Sequence, residues 1–197
     1  MCGRYFLWDE LKEQLQQDFP DMEGAGFAFG AGDVHPSDAA PVIMKGGRRL
    51  ELIRWGYPAP ERAEERRAGA LVINARAETA AQKPMFRAGC ASRRILIPAS
   101  GFYEWNSRKE KNTFRMQEDR IMYMAGIYDR FQDEDRFVIL TQTANESMSR
   151  VHDRMPLIIG KEACMEWLQS DRIPQEILQK TGPQLERSSE YEQMTLF

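Results

Sequence analysis

A chain of 197 residues, 42% hydrophobic and 29% charged, is most simply a single globular domain with room for a real core. No apolar run approaches the roughly 20 residues of a membrane span. No basic stretch followed by an apolar one opens the chain, so no signal peptide is expected. The net charge of −3 excludes bulk attraction to nucleic acid, so any such binding must come from a local arginine cluster.

Cys2, Cys90 and Cys164 are far apart and odd in number, so they form neither a disulfide framework nor a Cys-x-x-Cys pair. With only His35 and His152 available, no zinc site is expected. A reducing cytoplasm fits this usage.

The opening Met1-Cys2-Gly3-Arg4-Tyr5 carries the first chemistry. Cysteine is small enough for an aminopeptidase to remove Met1. That would leave Cys2 with a free α-amine and a thiol on adjacent carbons. The amine, titrating near pH 8, can attack an aldehyde to give a Schiff base. The thiol can then close on the imine carbon as a five-membered thiazolidine. Gly3 permits close backbone approach. Arg4 puts a cation beside the nucleophile, where it can lower the thiol pKa or grip a phosphate.

Residues 6–19 have apolar positions at 7, 8, 11, 15 and 19, which predicts a helix with Asp9 at its start. A Gly- and Ala-rich loop follows over 20–33. Pro36 and Pro41 frame a turn before a strand at 42–44, and Gly46-Gly47 reads as a hairpin turn. Residues 48–57 read as a strand with Leu50, Leu52 and Arg54 on one face. The charged, proline-bounded 58–69 reads as a solvated loop or short helix.

Residues 71–73 form a short apolar strand that runs into Asn74-Ala75-Arg76-Ala77-Glu78. Asn74 either faces a cleft or caps a helix. A further buried strand, 95–98, leads to Gly101-Phe102-Tyr103-Glu104-Trp105. Glu104 either faces water by strand alternation or is partly desolvated among aromatics, which would raise its pKa and suit a general acid. A polar hairpin tip at 106–112 precedes strands at 114–116, 122–127 and 137–141. A short helix is expected at 145–150, before His152-Asp153-Arg154-Met155-Pro156. Helices are also expected over 161–169, with Cys164, Trp167 and Leu168 inward, and from Pro174 to 180. From Thr181 the chain turns polar and is expected to lose order until its last residues. Many short strands with few helices predict an α+β fold: a mainly antiparallel, barrel-like sheet with a few short flanking helices.

Five motifs in order, MCGR at 1–4, Trp55-Gly56, NARAE at 74–78, GFYEW at 101–105 and HDRMP at 152–156, resemble the SRAP family. These SOS-response-associated peptidases are known for crosslinking to abasic sites in single-stranded DNA. The resemblance runs from residue 1 to about 168. It implies a single domain over 1–180 with a polar tail at 181–197, a cytoplasmic or nucleoid location, and no metal or cofactor. It assigns Cys2 as crosslinking nucleophile, Asn74 as holder of the Cys2 end and the open sugar, Glu104 as acid or base, and His152 as an aid to proton transfer. Arg4, Arg76 and Arg154 would hold the flanking phosphates, and Trp105 would stack on a base or wall the pocket. Other functions compatible with these residues are an N-terminal-nucleophile amidohydrolase using Cys2 and a non-covalent single-strand-binding module. The ending Gln193-Met194-Thr195-Leu196-Phe197 resembles the peptide by which bacterial repair proteins dock on the sliding clamp. Gln193 would meet the rim of the clamp pocket, and Leu196 and Phe197 would fill it.

Overall fold

The structure, a computed structural model, describes residues 2–60 and 69–189. The chain opens with strand β1 (Tyr5–Leu7), helix α1 (Leu11–Asp18) and strands β2 (Gly32–Val34), β3 (Ala39–Ile43) and β4 (Leu50–Trp55). A small pair, β5 (Tyr57–Pro58) and β6 (Leu71–Val72), is followed by β7 (Asn74–Arg76), α2 (Ala77–Ala80) and α3 (Pro84–Ser92). Next come β8 (Arg94–Ala99), β9 (Gly101–Trp105), β10 (Lys111–Arg115), β11 (Met122–Phe131) and β12 (Glu134–Thr143). The last elements are β13 (Arg154–Pro156), β14 (Ile158–Ile159), α4 (Cys164–Gln169), α5 (Gln175–Gln179) and β15 (Glu186–Ser189).

Five strands close on themselves. β4 pairs with β3, β3 with β8, β8 with β11 and β11 with β12, all antiparallel, and β12 returns to β4 in parallel. Closure removes the open edges that an isolated sheet would expose. β8 and the first half of β11 are buried throughout, so they read as continuous apolar runs rather than as alternating ones. A second, antiparallel sheet runs β15-β10-β9-β1-β2. The chain passes from barrel to sheet at Ser100, whose N–H donates to Phe6 O and whose hydroxyl accepts from Trp8 N. Gly101 is required there, because a Cβ would lie 2.5 Å from Phe114 O. The α+β, mainly antiparallel, barrel-like architecture expected from the sequence is the one observed.

Several local expectations are corrected. Residues 5–7 are strand rather than helix, and α1 starts only at Leu11 after Glu10, with no side-chain cap from Asp9. Tyr5 and Leu7 are drawn into the sheet by burial, which overrides the helical spacing. Leu52 faces solvent, while Ile53 and Trp55 point inward with Leu50. α3 carried no strong periodic signal, yet it forms with Pro84 in its first turn and buries Phe86, Gly89 and Cys90. Residues 145–150 are a series of turns, because the Asn145 side chain competes for the backbone: its Oδ1 accepts from Ser147 N and Oγ. Order is not lost at Thr181. Asn145 Nδ2 donates to Gly182 O and Pro183 O at 2.8 Å each, Leu185 is buried, and β15 pairs with β10 from Asn112↔Ser189 to Arg115↔Glu186. The charged stretch 61–68, Met1, and the tail residues Gln193, Leu196 and Phe197 lie outside the described residues.

Candidate active site

The site forms where the start of β1, the end of β9 and the start of β7 meet. Pairing of Tyr5 with Phe102 brings the segment before β1 alongside β9, and Tyr103 N donates to Arg4 O. Strand alternation then sends Phe102 and Glu104 inward and Tyr103 and Trp105 outward. Glu104 is only 6% exposed, which decides its orientation against water.

β7 is placed by the Trp55-Gly56 pair. The Trp55 ring stacks parallel to Phe137 at 6.2 Å, lies 5.3 Å from Tyr5, and donates from Nε1 to Ile73 O. That bond pins the residue immediately before Asn74. Gly56 adopts φ +109°, and a Cβ there would press on Leu71 at 3.0 Å. β7 then runs parallel to β12, Asn74 opposite Ile139. Asn74 therefore begins a strand; the position before α2 is taken by Arg76, and the helix-cap alternative for Asn74 is overturned.

Asn74 Nδ2 donates to Cys2 O at 2.8 Å. Cys2 is fully buried, and its thiol is pushed up to about 12, first by burial and next by the Glu104 carboxylate. Thiol and carboxylate are thus electrostatic neighbours, and the structure brings Cys2, Asn74 and Glu104 together. Asn74 Oδ1 and Tyr5 Oη, near them, are buried without a hydrogen-bond partner among the described residues. Unmade hydrogen bonds of this kind cost about 1–3 kcal/mol each. Burial, with smaller contributions from Cys2 and Asp38, holds the Tyr5 hydroxyl well above its ordinary pKa, so it stays a donor. Tyr5 was not singled out from the sequence, although it directly follows the Cys2 motif.

The Arg4 side chain does not activate the thiol: its guanidinium lies over the Trp105 ring at 5.3 Å and 3.7 Å from Asp33. The Glu104 carboxylate raises the thiol pKa, and the Arg4 carbonyl, 3.8 Å from Cys2 Sγ, acts in the opposite direction with a smaller effect. Arg76 is exposed at the end of β7. Arg154, across β12 at the start of β13, donates to both Glu78 oxygens, at 2.7 and 2.9 Å, and to Thr141 O at 2.5 Å. A phosphate would have to displace Glu78 to reach it. His152 precedes this arginine: its Nδ1 accepts from Arg154 N at 2.9 Å and lies 2.9 Å from Asp153 Oδ1. Among the described residues no cluster of His, Cys, Asp and Glu is placed to hold a metal ion, and no helix is long and apolar enough to cross a membrane.

Comparison with known sequences matches residues 1–195 to the family described as SOS response associated peptidase (SRAP). The chain belongs to the SRAP family. Among its relatives is "Abasic site processing protein YoqW" of Bacillus subtilis (strain 168), 33% identical over 196 residues and covering 91% of this chain and 85% of the relative. "Abasic site processing protein YedK" of Escherichia coli (strain K12) is 29% identical over 188 residues, covering 87% of this chain and 81% of the relative. The fold is shared with a solved protein from Bacteroides thetaiotaomicron at a TM-score of 0.78 and 23% identity, covering 95% of this chain and 91% of that one. A Bordetella bronchiseptica protein matches at a TM-score of 0.75, also at 23% identity, over 95% of this chain and 99% of that one. Three of the five motifs that carry the resemblance, MCGR, NARAE and GFYEW, supply the segments that meet at Cys2.

Proposed function

We propose that this SRAP protein processes abasic sites in single-stranded DNA by covalent capture on Cys2. The observation that carries the reading is the bond from Asn74 to the Cys2 carbonyl beside the buried Glu104. It holds the residue that supplies both ring-forming atoms among buried polar groups.

Removal of Met1 would free the Cys2 amine. The amine adds to the C1′ aldehyde of the ring-opened deoxyribose, and loss of one water gives the imine. The Cys2 sulfur then bonds to the same carbon while its proton leaves, and the imine nitrogen takes up a proton, closing a thiazolidine. The net change is one aldehyde and one aminothiol to one ring and one water, with no oxidant or reductant. Glu104 would receive the thiol proton, a need made acute by a thiol pKa raised to about 12. Asn74 Oδ1 and Tyr5 Oη would bond the sugar hydroxyls or the freed amine and so satisfy their buried lone pairs and donor. His152 would assist proton transfer at the same carbon. Arg4, Arg76 and, on displacing Glu78, Arg154 would hold the flanking phosphates, and Trp105 would stack on a neighbouring base. The tail residues Gln193, Leu196 and Phe197 would tether the domain to the sliding clamp. Deleting 193–197 should then abolish clamp pulldown and leave capture in solution intact.

The test is incubation with an abasic single-stranded oligonucleotide followed by a heated denaturing gel. The expected result is a heat-stable adduct that Cys2→Ser lacks, since an oxazolidine is the weaker ring. A Cys2→Ser adduct as durable as that of the unsubstituted chain would overturn the mechanism.

A further inference from the structure

The outward face of the five-stranded sheet carries a feature that the capture chemistry does not use. Strand alternation puts Phe6 of β1, Tyr103 and Trp105 of β9, and Lys111, Thr113 and Arg115 of β10 on this side. Four rings run across it from Trp105 to Tyr103 to Phe6 to Trp8, with centroid spacings of 6.5, 5.0 and 5.5 Å. Three cations sit over these rings. Arg4 lies 5.3 Å from Trp105, Lys111 lies 4.3 Å from Tyr103, and Arg115 lies 5.3 Å from Trp8. Phe6 is buried beneath, while Trp8, Tyr103 and Trp105 keep partly exposed surface.

We infer that this face is a track for undamaged single-stranded DNA, leading from the Cys2 site at Trp105 to Trp8. The inference rests on the reading of Cys2 as the lesion-capturing residue. Alternating aromatic and cationic groups suit an unpaired strand, whose bases stack on rings and whose phosphates meet cations. Double-stranded DNA would present paired, inaccessible bases. The ring spacings exceed the about 3.4 Å rise of stacked bases, so each exposed ring serves a splayed nucleotide. Continuity with the site is direct, because Trp105 and Arg4 adjoin Glu104 and Cys2 in the chain and belong to both regions. Acidic groups bound the track. Asp33 pairs with Arg4 and accepts from Tyr103 Oη, and Glu186 lies opposite Arg115 at the β15 edge. Beyond Trp8 a cavity of about 480 Å³ is lined by Asp9 and Glu10 as well as Gln14. A phosphate chain would therefore not continue past Trp8.

The experiment compares intact, undamaged oligonucleotides of about 5 and about 15 nucleotides by fluorescence anisotropy, with lesion capture on the short strand measured alongside. The proteins are the full chain, Trp8→Ala and Arg115→Gln, each checked by melting temperature. The full chain should bind the longer strand more tightly than the shorter. Trp8→Ala should weaken the long strand about fivefold or more. Arg115→Gln should lower the salt slope by about one phosphate. Neither should change capture on the short strand. Long-strand binding unchanged in both variants would overturn the inference, as would equal losses for both lengths. Failure of the unsubstituted chain to capture an abasic site at all would instead overturn the reading beneath it.

Discussion

Two buried polar regions of this molecule behave in opposite ways. Arg94, at the start of β8, is 2% exposed and all three nitrogens of its guanidinium donate hydrogen bonds. Nε donates to Trp167 O and Nη1 to Cys90 O, both at 2.8 Å, Nη1 also donates to Ala91 O, and Nη2 to Ser170 O. Its carbon lies 5.8 Å from the Trp167 ring. A cation saturated by carbonyls from the ends of α3 and α4 joins helices to the barrel and offers nothing to a ligand. Around Cys2 the polar atoms are as deeply placed, yet Asn74 Oδ1 and Tyr5 Oη have no hydrogen-bond partner among the described residues and the Glu104 charge raises the thiol pKa. Buried polarity that is fully bonded is architecture. Buried polarity left incomplete points to a site where it gathers around a nucleophile, as at Cys2, and not where it stands alone, as at Tyr57 Oη.

That contrast can be broken from either side. The largest effect is expected at Glu104. Glu104→Gln should slow capture by about 10²–10⁴-fold, the usual worth of a positioned acid or base, measured under single-turnover conditions. DNA affinity should hardly move. Arg94→Ala should do the reverse. It leaves four carbonyls without their donor and should lower stability by about 3 kcal/mol, read as a drop in melting temperature of roughly 6–12 °C. Capture per folded molecule should be unchanged.

The thiol sharpens the comparison further. With its pKa raised to about 12, the Cys2 thiolate fraction should climb about tenfold per pH unit from neutrality to near pH 11. Alkylation of Cys2 in the unliganded protein should follow that climb. Glu104→Gln removes one of the two causes that raise the pKa, so its alkylation profile should shift to lower pH. A profile levelling near pH 8 in the unsubstituted chain would contradict the buried, carboxylate-facing thiol.

The smallest effect is expected at the Glu78–Arg154 pair. Hydrogen bonding from Arg154 holds the Glu78 carboxyl below its ordinary pKa. A carboxylate lowered in the folded state stabilises above its unfolded pKa, and that contribution is lost as pH falls through the folded value. Glu78 is 45% exposed, so solvent screening limits the contribution to less than about 1 kcal/mol. Glu78→Gln should therefore cost little stability at neutral pH and flatten the acid limb of the stability curve below about pH 4.5. If Arg154 also takes a phosphate, the same substitution should tighten single-strand binding.

Much of this contrast was legible in the sequence on one side only. Cys2, Asn74, Glu104 and His152 stand in short motifs whose residue types already suggest chemistry, and the barrel strands announce themselves as apolar runs at 95–98, 122–127 and 137–141. Arg94 gave no such signal. It follows Arg93 just before the apolar run at 95–98, and only the convergence of α3 and α4 makes it a core residue. Tyr5 was hidden because its packing depends on Trp55, fifty residues away. The thiol's high pKa follows first from the burial of Cys2 and next from alternation in β9, which places Glu104 inside and Trp105 outside, a choice no local pattern settles. β15 was missed because its polar sequence gains order only from pairing with β10 and from the Asn145 clamp on residues 182 and 183.

The central claim is that Cys2, with a free amine and a thiol, closes a ring on the lesion. Its most direct test is the intact mass of the adduct formed with an abasic oligonucleotide. The account predicts the mass of the chain without Met1 plus the DNA, less one water, stable without borohydride reduction. An adduct that retains Met1, or one that survives only after reduction, would contradict it.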